Sequence, residues 1–209
     1  MSELDTAPGT RPYHHGDLKA ALLAAAETIR ERDGIQALTL RAAARAVGVS
    51  HAAPTTHFGD RPGLLSERAA VGFTRGSTTL LAAMEAAGDD PRTRSNAMGA
   101  AYVRFARTYP GLFILMFRSE RLDATRPALR DAIDASRRAL RAAGGSRAAN
   151  EAVPPLAMAG RAVARWSLVH GFAMLFLDGR LGGLLDSLPD GEGADELLMA
   201  VLAATRIGE

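Results

Sequence analysis

Little in this sequence is set up to make or break bonds. It contains no cysteine, which removes thiolate catalysis, disulfides and cysteine-ligated zinc. His14 and His15 are adjacent. Neighbours on a helix point about 100° apart, so they do not readily chelate one ion together, and no other ligand cluster stands near them. No nucleophile–base pair, phosphate loop or paired-carboxylate pattern is visible. The expectation is a non-enzyme with no catalytic residue, no metal and no cofactor. The chemistry that remains is recognition. Arg41 and Arg45 stand four apart, one turn of helix, which aligns two guanidinium groups on one face and suits a row of phosphates. Trp166, His170 and Met174 share that spacing.

The elements that must position these groups are helical. Apolar residues recur at helical spacing almost everywhere, and two-residue alternation is nearly absent. The chain has 209 residues, 47% hydrophobic and 23% charged, enough to bury a core without metals or disulfides. Asp17 is an expected N-cap for a helix that ends at Asp33-Gly34. A short helix is expected over 39–47, with Thr39 as its cap. Gly48-Val49-Ser50 makes a turn, and Ser50 caps a helix from His51 to Phe58 in which Pro54 removes a backbone donor. Longer helices follow over 63–87, 93–108, 110–117, 127–142, 155–177 and 194–207, with a glycine-rich loop at 179–193. The fold class is all-α: an N-terminal three-helix domain over 1–62, then a helical bundle over 63–209.

Charge decides nothing here. The net charge is +2, and residues 1–58 hold six basic and six acidic side chains. A case for nucleic acid must rest on the motif. In Thr39–Ser50, Ala44 is small enough for a second helix to cross closely above it. Gly48 supplies a backbone angle other residues resist, and Val49 fills the space between the helices. Two short helices with a three-residue turn are the shape that places a second helix in a major groove.

These residues resemble a known family. Thr39-Leu40-Arg41, Gly48-Val49-Ser50, His57-Phe58 and Arg61-x-x-Leu64-Leu65 fall in the order and spacing of TetR-type regulators. Tyr13-His14-His15-Gly16-Asp17-Leu18 is similar to a lead-in found in one large subset, and His51-Ala52-Ala53-Pro54 to its recognition helix. Trp166-x-x-x-His170-Gly171 looks like the hallmark of the C-terminal ligand-binding domain that accompanies it. One departure is plain. Thr55-Thr56 stands where an aromatic pair is usual. Thr55 keeps a hydroxyl donor but reaches less far toward a phosphate.

The resemblance implies a cytoplasmic, DNA-binding transcriptional regulator, usually a repressor, released from a near-palindromic operator by a small effector. Arg41 and Arg45 are then expected along phosphates, and Ser50 as a cap. His51, Ala52 and Thr55 are expected in the groove, with His57 and Arg61 on the DNA backbone. The effector site is expected among Met98, Tyr102, Phe105, Phe113, Met116, Phe117, Trp166, His170 and Met174. Methionine and aromatic side chains with a few polar groups are how small-molecule pockets are often lined. The resemblance also implies a homodimer through the helices near 155–177 and 194–207. The alternatives are a helical adaptor or ligand-binding protein that has lost DNA binding, and an enzyme. No membrane partner is expected. The first ten residues carry acids and no apolar run, and the most hydrophobic stretch, 168–177, is interrupted by His170 and Gly171.

Overall fold

Every element in the computed structural model is helical among the residues it describes, which are 15–117, 119–142 and 154–204. The expected N-terminal arm before His15, and residues 205–207 of the expected last helix, lie outside them. In chain order the helices are α1 (His15–Asp33), α2 (Leu40–Val47), α3 (Ala53–Phe58), α4 (Arg61–Ala86), α5 (Pro91–Thr108) and α6 (Pro110–Met116). A 3-10 turn (Ser119–Arg121) follows. Then come α7 (Pro127–Ala142), α8 (Pro155–Leu177), α9 (Gly182–Leu185) and α10 (Ala194–Ala204). The chain divides into two compact units, Met1–Leu64 and Leu65–Glu209. No helix among the described residues is long and apolar enough to cross a membrane.

In the first unit, α1 packs against α2 and α3. Leu22, Ala26, Leu38, Ala43, Ala44 and Phe58 form its sealed centre. Thr39 caps α2, its hydroxyl accepting from the Ala42 N–H at 3.1 Å. Gly48 ends α2 at φ 75°, a left-handed angle that favours glycine, and its N–H returns to the carbonyls of Ala44 and Arg45.

The next helix corrects the expectation at Ser50. It starts at Ala53, two residues later than expected; its N-cap is Ala52, and no side chain caps it. The reason is Pro54. A helix begun at His51 would need a Pro54 N–H to bond the Ser50 carbonyl, and proline has none. Starting at Ala53 puts Pro54 in the first turn, where a missing donor costs nothing, and the Ala53 N–H takes the Ser50 carbonyl at 3.1 Å. Ser50 therefore serves through its backbone rather than its hydroxyl.

In the second unit, α5 is the central rod, with α6, α8 and α10 packed on it. Glycines set the closest approaches. Gly99 faces Val169 of α8 and Leu202 of α10, and Gly76 of α4 faces the Phe105 ring. Gly72 of α4 lies so near α6 that a Cβ there would stand 2.7 Å from the Met116 sulfur. Helix α5 begins two residues earlier than expected. Asp90 caps it by accepting from the Thr93 N–H at 2.7 Å, and Pro91 fits the first position. The expected 179–193 loop contains the short helix α9. In α10, Leu198 and Leu202 are buried within the unit, while Met199 faces outward. Part of the apolar stripe on this helix is thus already used inside one chain.

Candidate functional site

The outer face of α3 and the turn before it are open. His51, Ala52, Thr55 and Thr56 are exposed, while Pro54 and Phe58, four apart, are buried on the opposite side. That division follows from helical periodicity: the two apolar residues fix the helix to the core and leave the small polar ones outward. Arg41 and Arg45 are exposed on α2, and neither has an ion-pair partner among the described residues. Two cations one turn apart, without a neutralising carboxylate, are suited to an external anion. His57 is half-buried with its ring against Phe58.

Arg61 is engaged elsewhere. Its Nε donates to the Leu38 carbonyl at 2.8 Å and its Nη2 to the Ile35 carbonyl at 2.6 Å. The guanidinium thus braces the connection between α1 and α2. The sequence signalled a basic residue at this point, but a local pattern says nothing of a bond to a carbonyl 26 residues away.

In the second unit, five of the expected effector-site residues come together. Tyr102 of α5, Phe113 of α6, Phe117 just after it, and Trp166 and His170 of α8 form one aromatic cluster. The His170 ring centre lies 4.6 Å from Phe117, 5.5 Å from Phe113 and 5.8 Å from Trp166. The Tyr102 hydroxyl sits 2.8 Å from His170 Nδ1 and accepts from Trp166 Nε1 at 3.2 Å. Burial pushes the Tyr102 hydroxyl well above the usual phenol range and holds His170 below its ordinary value. Both shifts favour the uncharged forms of the two side chains. The other expected residues sit apart from these polar contacts. Met98 is buried in α5, Phe105 stacks with Tyr109 under Gly76, and Met116 lies against Gly72. Met174, one turn beyond His170, is half-buried.

Residues 95–203, more than half of the chain, match the family model described as Tetracyclin repressor-like, C-terminal domain. The chain belongs to the TetR family. A structure of a protein of unknown function from a Rhodococcus species is 35% identical over 93% of this chain and 96% of its own, with a TM-score of 0.75. The TetR-family transcriptional regulator PfmR from Thermus thermophilus shares the fold at 22% identity, covering 87% of this chain and 94% of its own, with a TM-score of 0.57. A TetR-family transcription regulator from Marinobacter aquaeolei does so at 16% identity, 90% and 94% coverage, and a TM-score of 0.61. A comparison with curated proteins finds no match.

Two features of this TetR-family chain escaped the sequence. A groove of about 380 Å³ is lined by Thr74, Ser77, Thr78 and Leu81 of α4 with Ala135, Arg138 and Ala139 of α7. Its only sequence signal was the 74, 77, 78, 81 spacing on one helix face, and small polar residues there do not announce a cavity. The second feature is a clamp on α4. The Ser66 hydroxyl accepts from the Asp123 N–H at 2.7 Å, and Arg126 approaches Glu67 at 3.6 Å and Asp123 at 3.7 Å. Ser66 and Asp123, and Glu67 and Arg126, stand far apart in the chain, and such pairs carry no local pattern.

Proposed function

We propose that this TetR-family transcriptional regulator is a cytoplasmic homodimeric repressor that binds a near-palindromic operator and leaves it when a small, mostly apolar effector binds. The observation that carries this reading is the outward face of α2 and α3. Two unneutralised arginines on α2 precede a short helix whose exposed side chains are small enough to approach base edges. Arg41 and Arg45 lie along phosphates, and His57 touches the backbone at the far end. His51, Ala52 and Thr55 face the major groove, where Ala52 offers only apolar contact, as to a thymine methyl. In a twofold dimer, two such helices about 34–36 Å apart read two half-sites. That arrangement lets a modest, electrically balanced domain bind specifically.

The effector binds at the aromatic cluster of α5, α6 and α8. Helix α4 carries the response, since Gly72 brings it against Met116, next to Phe117 of the cluster. An effector shifts DNA binding only by its differential affinity for the two states. A coupling of about 1–3 kcal/mol changes operator affinity roughly 5- to 150-fold.

A gel shift against the DNA flanking its own gene tests the reading, because such regulators often control neighbouring genes. A retarded band that survives excess random DNA is expected. Binding no tighter than to random DNA would favour a helical adaptor, a reading to which the short Thr55-Thr56 side chains and the balanced charge of residues 1–58 lend some weight.

A further inference from the structure

The contacts among Trp166, Tyr102 and His170 form a chain whose direction is fixed by chemistry. An indole N–H can only donate, so the Tyr102 oxygen accepts from Trp166 Nε1. The Tyr102 phenol is buried, and its own proton needs an acceptor. Among the described residues that acceptor is His170 Nδ1, at 2.8 Å. Nδ1 must then be a bare lone pair, and the neutral ring carries its proton on Nε2. A proton on Nδ1 would turn two donors on the Tyr102 oxygen and leave the phenolic proton unpaired in a buried place. The low proton affinity that burial gives His170 agrees with this. Nε2 has no partner among the described residues, and it is not one of the sealed, unsatisfied atoms of the core.

We propose that this relay makes His170 a one-way hydrogen-bond donor, and that the effector is a flat, conjugated molecule carrying a carbonyl-type acceptor. The inference rests on the reading of this cluster as the effector site. The rings of Phe113, Phe117 and Trp166 around His170 supply the flat apolar contact, and Nε2–H supplies the one polar contact. A ligand whose only polar group is a donor would set N–H against N–H and leave both unpaired, which a water-poor site penalises. The four-residue spacing of Trp166 and His170 gains a specific purpose: both side chains reach one hydroxyl from successive turns, and that hydroxyl fixes the tautomer.

Two measurements test this. The first needs no ligand. Side-chain nitrogen NMR of the intact protein at about pH 7, assigned by loss of the signal in His170→Gln, is expected to show the Nε2–H tautomer alone. Tyr102→Phe is expected to populate both tautomers. A wild-type ring protonated at Nδ1, or at both nitrogens, overturns the proposal. The second measurement compares acetophenone with α-methylstyrene, which share a shape and differ in C=O against C=CH2. Quenching of Trp166, the sole tryptophan, reports binding. Acetophenone is expected to bind about fivefold tighter, the worth of one neutral hydrogen bond. The preference disappears in His170→Phe. Equal affinity for the two probes overturns the acceptor preference and leaves the cluster as an effector site. Quenching by neither, with the tautomer intact, removes the cluster as the effector site, and the proposal falls with it.

Discussion

The Arg61 guanidinium bonds the carbonyl oxygens of Leu38 and Ile35 in the connection between α1 and α2, just ahead of the Thr39 cap. This ties the entry to α2 to the first residue of α4, and it gives Arg61 a structural task. Arg61→Ala is expected to lower the melting temperature, because two carbonyls lose a charged donor at a cost of about 1–3 kcal/mol. Lysine lacks the planar fork, so Arg61→Lys recovers less than half of the loss. Thermal denaturation of the two variants checks this. An Arg61→Ala protein of wild-type stability would return the residue to the phosphate backbone.

Arg45 is expected to behave in the opposite way. It is exposed and has no ion-pair partner among the described residues, so Arg45→Ala leaves stability unchanged. If it meets phosphate, its loss weakens binding to all sequences alike and reduces the slope of log affinity against log salt by about 1. His51→Ala should instead alter the preferred operator sequence. Anisotropy titrations on specific and random DNA at several salt concentrations separate the two effects. An unchanged salt slope in Arg45→Ala contradicts its assigned role.

What is legible in the sequence is periodic or local. The Thr39 cap and the Gly48 turn depend on residues within one or two turns of each other, and the structure has both. The helices exist as expected but their ends shift: α1 runs from His15, so Asp17 lies inside it and is not its cap, and α4 and α5 each begin two residues early. Local pattern places the start of α3 too early because Ser50 is a good cap in isolation, whereas Pro54 four residues later decides where the first turn can begin. The sequence marks the effector-site residues only by their aromatic or methionine character, a property shared by core and pocket residues alike. Only folding separates Tyr102, Trp166 and His170, which exchange hydrogen bonds, from Phe105 and Met98, which fill the interior. The α4–α7 groove was invisible because empty space has no residue type.

Gly72 offers a test of the contact between α4 and α6. Alanine there would gain about 1 kcal/mol of helix propensity over glycine. Its methyl, however, would stand 2.7 Å from the Met116 sulfur and 3.0 Å from a Leu112 methyl carbon. Overpacking of this kind costs about 1–3 kcal/mol, so Gly72→Ala is expected to be neutral to destabilising. Met116→Ala in the same chain should make the added methyl favourable. A double-mutant cycle by chemical denaturation measures the coupling, and additivity of the two changes would show that the helices do not meet there.

The His170 ring sets a pH dependence whose sign can be worked out. Burial holds its folded value below 6.5, the value of the free side chain. Between the two, the unfolded chain binds more protons, so stability rises with pH there and is lost as pH falls below 6.5. Well above 6.5 both states are neutral and the contribution is flat. The difference in melting temperature between wild type and His170→Phe is expected to be constant at neutral and higher pH and to shift against the wild type in acid. A difference independent of pH down to about pH 5, more than a unit below the free value, would show that the folded ring protonates as freely as the unfolded one.

The first three turns of α8 argue for the proposed second copy of the chain. Residues 155–164 are all exposed within one chain, yet only Arg161 among them is charged. Leu156 is 84% exposed and Val163 56%. An apolar helix face of this length does not stay in water when a symmetric partner can cover it, at about 25 cal/mol for each Å² removed from solvent. Val163→Asp tests this cleanly, because the side chain is exposed in the protomer and its replacement leaves the protomer core alone. In a twofold interface the carboxylate is buried twice, at several kcal/mol each time, unless the chains part. Sedimentation is expected to show a wild-type dimer at micromolar concentration and a Val163→Asp monomer with unchanged helix content. The monomer should still bind random DNA weakly, through one set of phosphate contacts, but lose its preference for a two-half-site operator. A Val163→Asp protein that sediments as a dimer and keeps that preference would mean that this face of α8 is not where two chains meet.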